Sequence, residues 1–253
     1  MQSAKEPSPA VKPKEPVVVG ITGHRDIRDP EDVGKKLALF WKTIRRSVGE
    51  DTPVILLTSI ASGADHLAAR SCPRSVGYRV VLPFSEEEYR KDFSGRALTD
   101  FEEDLRGACG VIECDAAPGD YAPASDYVRK HCDVLLTMWD GYETLDLQKR
   151  EPDKGGTYYQ IRAAFGMDDP LRHNREKKHL VVNIAVEREK KGPLYHRERG
   201  ERQVCRFPEK SGPSVLSWNR EKNEIELSCG FQEWAAERRL RDGAAGGEII
   251  SAE

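Results

Sequence analysis

The sequence predicts an α/β fold, a Rossmann-like, doubly wound and mostly parallel sheet with helices on both faces and a small C-terminal hairpin and helix. Two observations predict it. Apolar runs of strand length alternate with amphipathic stretches over residues 17–186, and most of these runs are apolar at nearly every position. Strands joined by helices pair in parallel through right-handed crossovers. Strands covered on both faces carry continuous apolar runs.

The apolar runs themselves are the predicted strands. The run VVVGIT at 17–22 and the run DVLLTMW at 133–139 are typical of central strands, because apolar residues dominate both. The predicted strands are residues 17–22, 53–59, 79–84, 111–115, 133–139 and 179–186, of which 111–115 is short and peripheral.

The stretches between these runs predict helices. In the first of them, Val33, Leu37, Phe40 and Ile44 recur at the spacing that places side chains on one face of a helix. The predicted helices are residues 30–48, 64–70, 99–108, 122–131 and 156–165.

The composition changes at both ends of the chain. Residues 1–16 contain four prolines and no apolar core, which predicts a disordered leader rather than a secretory signal. Residues 17–186 form the predicted Rossmann-like domain, and the charge-rich residues 187–253 form a C-terminal extension. Within this extension we expect a hairpin of strands 214–218 and 224–228, a helix at 231–240 and a loose tail at 241–253.

Composition narrows the class of protein. The net charge of −3 over 253 residues argues against a protein that coats nucleic acid. No apolar run approaches the length of a membrane-spanning helix. The six cysteines lack CxxC pairs and the six histidines lack zinc-ligand spacing, so we expect reduced thiols, a cytoplasmic protein, and no metal or resident cofactor.

The residues after the first strand are candidates for phosphate binding. Gly23 would let the backbone approach a ligand, while Thr22, His24 and Arg25 supply donors suited to phosphate. In the alternative interpretation, these residues form a helix-capping turn with solvated charges.

The residues after the second strand predict an anion-binding nest. Ser62, Gly63 and Ala64 are small and precede a helix, an arrangement that exposes backbone N–H groups. Asp65 either accepts a hydrogen bond from a ribose hydroxyl or caps the helix, and capping is the commoner role.

Aromatic residues follow the third strand. Pro83 and Phe84 end it, and Tyr89 and Phe93 then lie four apart, which places them on one helical face. These rings either line a base-binding pocket or pack the helix onto the sheet.

The fifth predicted strand is followed by a second glycine-rich turn. Gly155, Gly156 and Thr157 open a helix in the pattern of a phosphate cradle. Trp139 either stacks on a base or packs in the core, and Asp140 adds a carboxylate at the strand end.

These motifs together resemble one known family. The segments GITGHRD, TSIASGADHLAA, VLPFSEEEYRKDF, CDVLLTMWDG and the later GGT are similar to the SLOG superfamily. That superfamily unites DNA-processing Smf proteins, LONELY GUY phosphoribohydrolases and nucleotide-sensing domains of bacterial antiviral systems. The resemblance covers residues 17–186 and implies a Rossmann-like fold with a nucleotide-derived ligand bound over these loops.

The resemblance also bears on catalysis. The enzymes of the family carry a P-G-G-x-G-T-x-x-E motif whose Glu helps to cleave an N-glycosidic bond, and Gln160 falls at the position of that Glu. A neutral amide does not stabilise oxocarbenium-like charge or activate water as a carboxylate does. The resemblance therefore implies a sensor of a cyclic oligonucleotide or an ADP-ribose-type ligand in antiviral defence, with no catalytic residue, a homo-oligomeric state and an effector partner.

Two other functions stay open from the sequence. A nucleoside 5'-monophosphate N-glycohydrolase would need another carboxylate, and the candidates are Asp65, Glu88, Asp92 and Asp140. The third hypothesis is a DNA-handling protein like the Smf group, and the net negative charge of the chain argues against it.

Overall fold

A computed structural model of the chain describes residues 14–143, 145–146, 151–152, 156–166, 180–207, 212–219, 221–222, 224–228, 233–234 and 236–237. Its strands are β1 (Val17–Gly23), β2 (Val54–Thr58), β3 (Val76–Leu82), β4 (Gly110–Glu113), β5 (Val134–Trp139), β6 (Leu145–Asp146), β7 (Glu151–Pro152), β8 (Leu180–Ala185), β9 (Ser214–Asn219) and β10 (Glu224–Ser228). Its helices are α1 (Pro30–Val48), α2 (Ala64–Arg70), α3 (Glu86–Arg90), α4 (Gly95–Gly107), α5 (Ala122–His131), α6 (Thr157–Phe165) and α7 (Pro193–Glu198).

Eight strands form one sheet in the order β10-β9-β8-β5-β1-β2-β3-β4. The six strands β8, β5, β1, β2, β3 and β4 are parallel to one another. The chain winds outward from β1 through β2, β3 and β4, then returns to β5 on the other side of β1. The predicted Rossmann-like, doubly wound fold class is confirmed, and the strand order reverses between β1 and β5, where such sheets bind ligands.

Helices cover the sheet on both faces. On one face, Leu37 and Phe40 of α1 pack in a core cluster with Val19 and Ile21 of β1. On the opposite face, Ile161 of α6 belongs to a cluster that also holds residues of β5 and β8. Burial on both faces explains why every residue of β5 is buried.

Local capping fixes where the first helix begins. The Asp29 carboxylate accepts the Asp32 N–H at 2.9 Å, and Pro30 occupies the first helical position. The cap fixes the length of the turn between β1 and α1. That turn lies at the carboxyl edge of the sheet, where ligands bind in open α/β folds.

Two elements begin earlier than predicted. β3 begins at Val76 rather than at residue 79, because its first half alternates between buried and exposed positions and carries no apolar run. α4 begins at Gly95 rather than at residue 99. The structure also contains two short helices that the sequence did not predict as separate elements, α3 and α7. The Ser85 hydroxyl accepts the Glu88 N–H at the start of α3.

The predicted hairpin at the C-terminal end is confirmed. β9 and β10 pair antiparallel, and β9 also pairs antiparallel with β8 through the partners Val181 and Leu216. The hairpin therefore continues the main sheet. Of the predicted helix at 231–240, residues 233–234 and 236–237 are described and helical. Residues 1–13 of the predicted leader and the predicted tail at 241–253 lie outside the described residues.

Within the described part of the chain, no helix combines the length and the apolar character that crossing a membrane requires.

Candidate functional site

A cleft lies at the carboxyl edge of the sheet, above the ends of β1, β2 and β3. The residues that line it are Ile21, Thr22, Gly23, Arg25, Ser59, Ala61, Asp65, Pro83, Tyr89, Tyr121, Ala124 and Ser125. It contains a cavity of about 70 Å³, and a water molecule's share of liquid volume is about 30 Å³. A ligand would therefore insert one small group and extend over the open edge.

Arg25 supplies the positive charge of the cleft. Its guanidinium carbon lies 5.1 Å from the ring centroid of Tyr121, a cation–π distance. The Tyr121 hydroxyl in turn donates to Asp92 Oδ2 at 2.7 Å. Within the described part of the chain, Arg25 forms no ion pair, and its charge opposes the rise that burial causes in the pKa of Asp65.

The loop between β2 and α2 is built around the Asp65 carboxylate. The Ser59 N–H donates to Asp65 Oδ2 at 2.9 Å, and the Ile60 N–H donates to Thr58 Oγ1 at 3.0 Å. The Ala64 N–H donates to the carbonyl of His24 at 3.0 Å. Of the predicted nest residues Ser62, Gly63 and Ala64, the N–H of Ala64 thus already has a partner within the protein, and the Asp65 carboxylate accepts the N–H of Ser59.

Two features of this loop are energetically costly. Ile60 adopts a φ of +47°, which a β-branched residue rarely does, and its side chain is buried. Asp65 is also buried, and burial raises its pKa to about 6 despite the opposing hydrogen bond from Ser59 and charge of Arg25. Strained backbone and perturbed carboxylates cluster at functional sites.

Close packing, rather than ligand approach, explains Gly23. A Cβ at this position would clash with the Ala64 Cβ and lie 2.9 Å from the Met138 Cβ. Gly63 has a φ of +79°, and a Cβ there would meet the backbone of the loop after β1. Both glycines let α2 pack tightly against the ends of β1 and β5.

His24 and Asp140 form a buried pair beside the cleft. His24 Nε2 lies 3.0 Å from Asp140 Oδ1, and the Tyr142 N–H donates to the same oxygen at 3.1 Å. Burial opposes ionisation of Asp140, but the hydrogen bond from His24 and the charge of His196 outweigh it and hold its pKa below 3.8. Neither His24 nor Asp140 lines the cleft. They can therefore act on the site only through the residues that do.

Two of the predicted ligand contacts, Trp139 and Phe84, are buried and do not line the cleft. Trp139 is 0% exposed; its indole stacks on Tyr158 and its Nε1 donates to the Tyr142 carbonyl at 2.7 Å. Phe84 is buried and packs edge-on against Tyr89. Core packing, the alternative weighed for Trp139, is what the structure contains at that position, because β5 is covered on both faces.

Gly156 and Thr157, the described part of the second predicted phosphate cradle, do not line the cleft. Gly155 lies outside the described residues; Gly156 precedes α6 and Thr157 begins it, with its side chain buried. Gln160 is fully buried and accepts a hydrogen bond from Arg129 Nε at 2.9 Å.

The remaining predicted residues divide between the cleft and its surroundings. Thr22, Gly23, Arg25, Asp65 and Pro83 line the cleft, whereas His24, Ser62, Gly63 and Ala64 do not. Among the other candidate carboxylates, Glu88 pairs with Lys91 at 2.5 Å and Asp92 accepts from Tyr121. Asp65 is therefore the one candidate carboxylate that lines the cleft.

Sequence reasoning missed the wall that α5 contributes. Tyr121 precedes α5, and Ala124 and Ser125 lie in its first turns, so the N-terminus of this helix faces the cleft with its partial positive charge. The available signal was that α5 follows β4, which places its start at the carboxyl edge. In the described part of the chain, no group of three or more His, Cys, Asp or Glu side chains is arranged to hold a metal ion.

No protein-family model matches the chain, and no curated protein matches it.

Proposed function

We propose that this protein binds a nucleotide-derived ligand in the cleft and acts as a sensor of that ligand. The observation that carries the proposal is the position of Arg25, whose guanidinium lines the cleft, without an ion-pair partner in the described residues, at the carboxyl edge of a doubly wound sheet. The N-terminus of α5 adds positive potential beside it. These features favour a phosphate group as the part of the ligand that enters the cleft.

The walls of the cleft complement the rest of such a ligand. Tyr121 offers an aromatic face, while Ser59 and Ser125 offer hydroxyl groups to polar atoms of a ribose or a base. The resemblance to the SLOG superfamily extends the proposal to a cyclic oligonucleotide or an ADP-ribose-type signal in antiviral defence. It also extends the proposal to a homo-oligomer that passes the signal to an effector.

One observation favours a second candidate, an N-glycohydrolase of nucleoside 5'-monophosphates. Asp65 lines the cleft, and burial raises its pKa to about 6, in the range that suits a general acid or base. Its carboxylate would then have to exchange the Ser59 N–H for the substrate. Asp140 does not support this candidate, because it is enclosed by His24 and His196.

The experiment is a panel of nucleoside monophosphates, NAD, ADP-ribose and cyclic di- and trinucleotides, with thermal shift and base release measured on the same samples. A sensor is stabilised by one of these compounds, which is recovered intact. Because a charge-assisted hydrogen bond contributes about 1.5–3 kcal/mol, Arg25→Gln should weaken binding roughly 10- to 100-fold.

The matched control is Arg106→Gln, which removes an exposed arginine at the end of α4. Equal loss of affinity in both variants, or binding by none of the panel at millimolar concentration, would contradict the proposal. Free base in the supernatant, abolished by Asp65→Asn, would establish the enzyme instead.

A further inference from the structure

The segment at residues 187–205, which we name the clamp segment, fastens the loop that carries the phosphate-binding arginine. The Arg28 N–H donates to the Glu187 carbonyl at 2.9 Å. The Arg188 guanidinium pairs with Asp26 Oδ1 through Nε at 2.7 Å and through a terminal nitrogen at 2.6 Å. Since Arg188 is largely buried, this two-pronged contact holds the loop after β1 firmly.

The same clamp segment also fastens the loop after β5. The Val204 and Cys205 N–H groups both donate to the Gly141 carbonyl, at 2.9 and 3.1 Å. The Glu143 N–H donates to the Arg202 carbonyl at 3.0 Å, and the Arg202 N–H donates back to the Glu143 carboxylate at 3.0 Å. One segment therefore joins the two loops on either side of the point where the strand order reverses.

A buried chain of ionisable side chains connects the two attachments. His196 Nδ1 lies 2.7 Å from Glu201 Oε2, and His196 Nε2 lies 3.2 Å from Asp140 Oδ2. The other oxygen of Asp140 is 3.0 Å from His24 Nε2. All four side chains are less than a tenth exposed, so interactions between them are only weakly screened by solvent.

The contact between His196 and Asp140 depends on the orientation of the imidazole ring. Its 3.2 Å distance is that of an ion pair, but within the described residues neither His196 Nε2 nor Asp140 Oδ2 has a hydrogen-bond partner. The Tyr142 ring stacks on the imidazole at 3.9 Å with planes 7° apart, which restrains the ring. The stack therefore holds Nε2 of His196 beside Oδ2 of Asp140.

We propose that His196 is a positioning residue for the ligand cleft. It acts through Asp140 on His24, and His24 directly precedes Arg25, so the orientation of His24 fixes the backbone that presents the guanidinium. The clamp segment thereby sets the affinity of the cleft for its phosphate group. This consequence for affinity rests on the proposed function, whereas the effect on the loop does not.

The experiment compares two isosteric substitutions. In His196→Asn the amide nitrogen takes the place of Nδ1 and keeps the bond to Glu201, but it does not reach Asp140. In His196→Gln the amide nitrogen takes the place of Nε2 and keeps the contact with Asp140. Glu198→Gln, exposed on the same helix, is the control. The readouts are amide hydrogen exchange of residues 24–28 and the dissociation constant for ADP-ribose.

His196→Asn should speed exchange of residues 24–28 and weaken ADP-ribose binding about tenfold, within the usual range of coupling between sites. His196→Gln should restore most of both. Equal exchange and affinity in the Asn, Gln and control variants, or equal loss of thermal stability in the Asn and Gln variants without faster exchange at 24–28, would overturn the proposal. If the wild-type protein does not bind ADP-ribose, the exchange rates alone decide the positioning role, and the lack of binding counts only against the proposed function.

Discussion

Two carboxylates at the carboxyl edge of the sheet are buried to a similar degree and are perturbed in opposite directions. Asp65 is surrounded mainly by backbone N–H groups and a hydroxyl, and burial raises its pKa to about 6. Asp140 lies between two imidazoles, which more than offset its burial and lower its pKa. The charged environment therefore decides which carboxylate holds a proton under mildly acidic conditions, and the carboxylate with the raised pKa is the one that lines the cleft.

The raised pKa of Asp65 predicts a change in stability with pH. The folded state holds this proton more tightly than the unfolded chain, whose carboxyl titrates near 3.8, so ionisation of Asp65 lowers the free energy of unfolding as pH rises from about 4 to about 6. A shift of this size corresponds to about 3 kcal/mol. Asp65→Asn should therefore gain about 3 kcal/mol relative to wild type between pH 4 and pH 7, measured by urea unfolding at both values.

A difference between the two proteins that stays constant with pH would show that Asp65 ionises in the folded state as it does in the unfolded chain. Asp51→Asn, which removes one exposed carboxylate, is the control.

Among the helices and strands, the contact of α2 with β1 and β5 determines the shape of the cleft. Gly23 lies where the end of β1 meets both the first residue of α2 and Met138 of β5. Gly63 allows the turn just before the helix, and the Ala64 N–H closes the contact by donating to the loop after β1. The Asp65 side of the cleft is therefore held against the Arg25 side by backbone packing.

This packing predicts that Gly23→Ala is destabilising. The added methyl group would meet the Ala64 and Met138 side chains, and overpacking of this kind costs about 1–3 kcal/mol. Gly34→Ala is the matched control, because a Cβ there has open space around it within α1. That substitution should stabilise the protein by about 1 kcal/mol, since alanine favours the helix. Thermal or urea unfolding of the two variants measures both effects, and equal stability would contradict the packing account.

Across the whole molecule, the sequence was sufficient for the features that depend on local pattern. The central strands were predictable because parallel strands buried on both faces carry apolar runs, as in 134–139. Arg25 and Asp65 were predictable as neighbours because both follow parallel strands, whose carboxyl ends share one edge.

The features that depend on distant packing were not predictable. Nothing near His196 in the sequence indicates that its imidazole lies between Asp140 and Glu201, since the clamp segment reaches β5 only through the folded chain. Trp139 ends a strand, a position that predicts either stacking on a base or core packing. In the structure its Nε1 donates to the carbonyl of Tyr142 in the loop after β5, and its ring stacks on Tyr158 of α6. Burial of this kind is decided by tertiary contacts and not by spacing.

Hydrogen exchange of the wild-type protein with and without ADP-ribose tests the central claim most directly, because it locates a bound ligand without any substitution. A ligand held by Arg25, the β2–α2 loop and the start of α5 should slow exchange in residues 21–28, 59–65 and 120–126 together. No slowing with ADP-ribose or with any other compound of the panel, or slowing confined to other parts of the chain, would contradict the claim that this cleft binds a nucleotide-derived ligand.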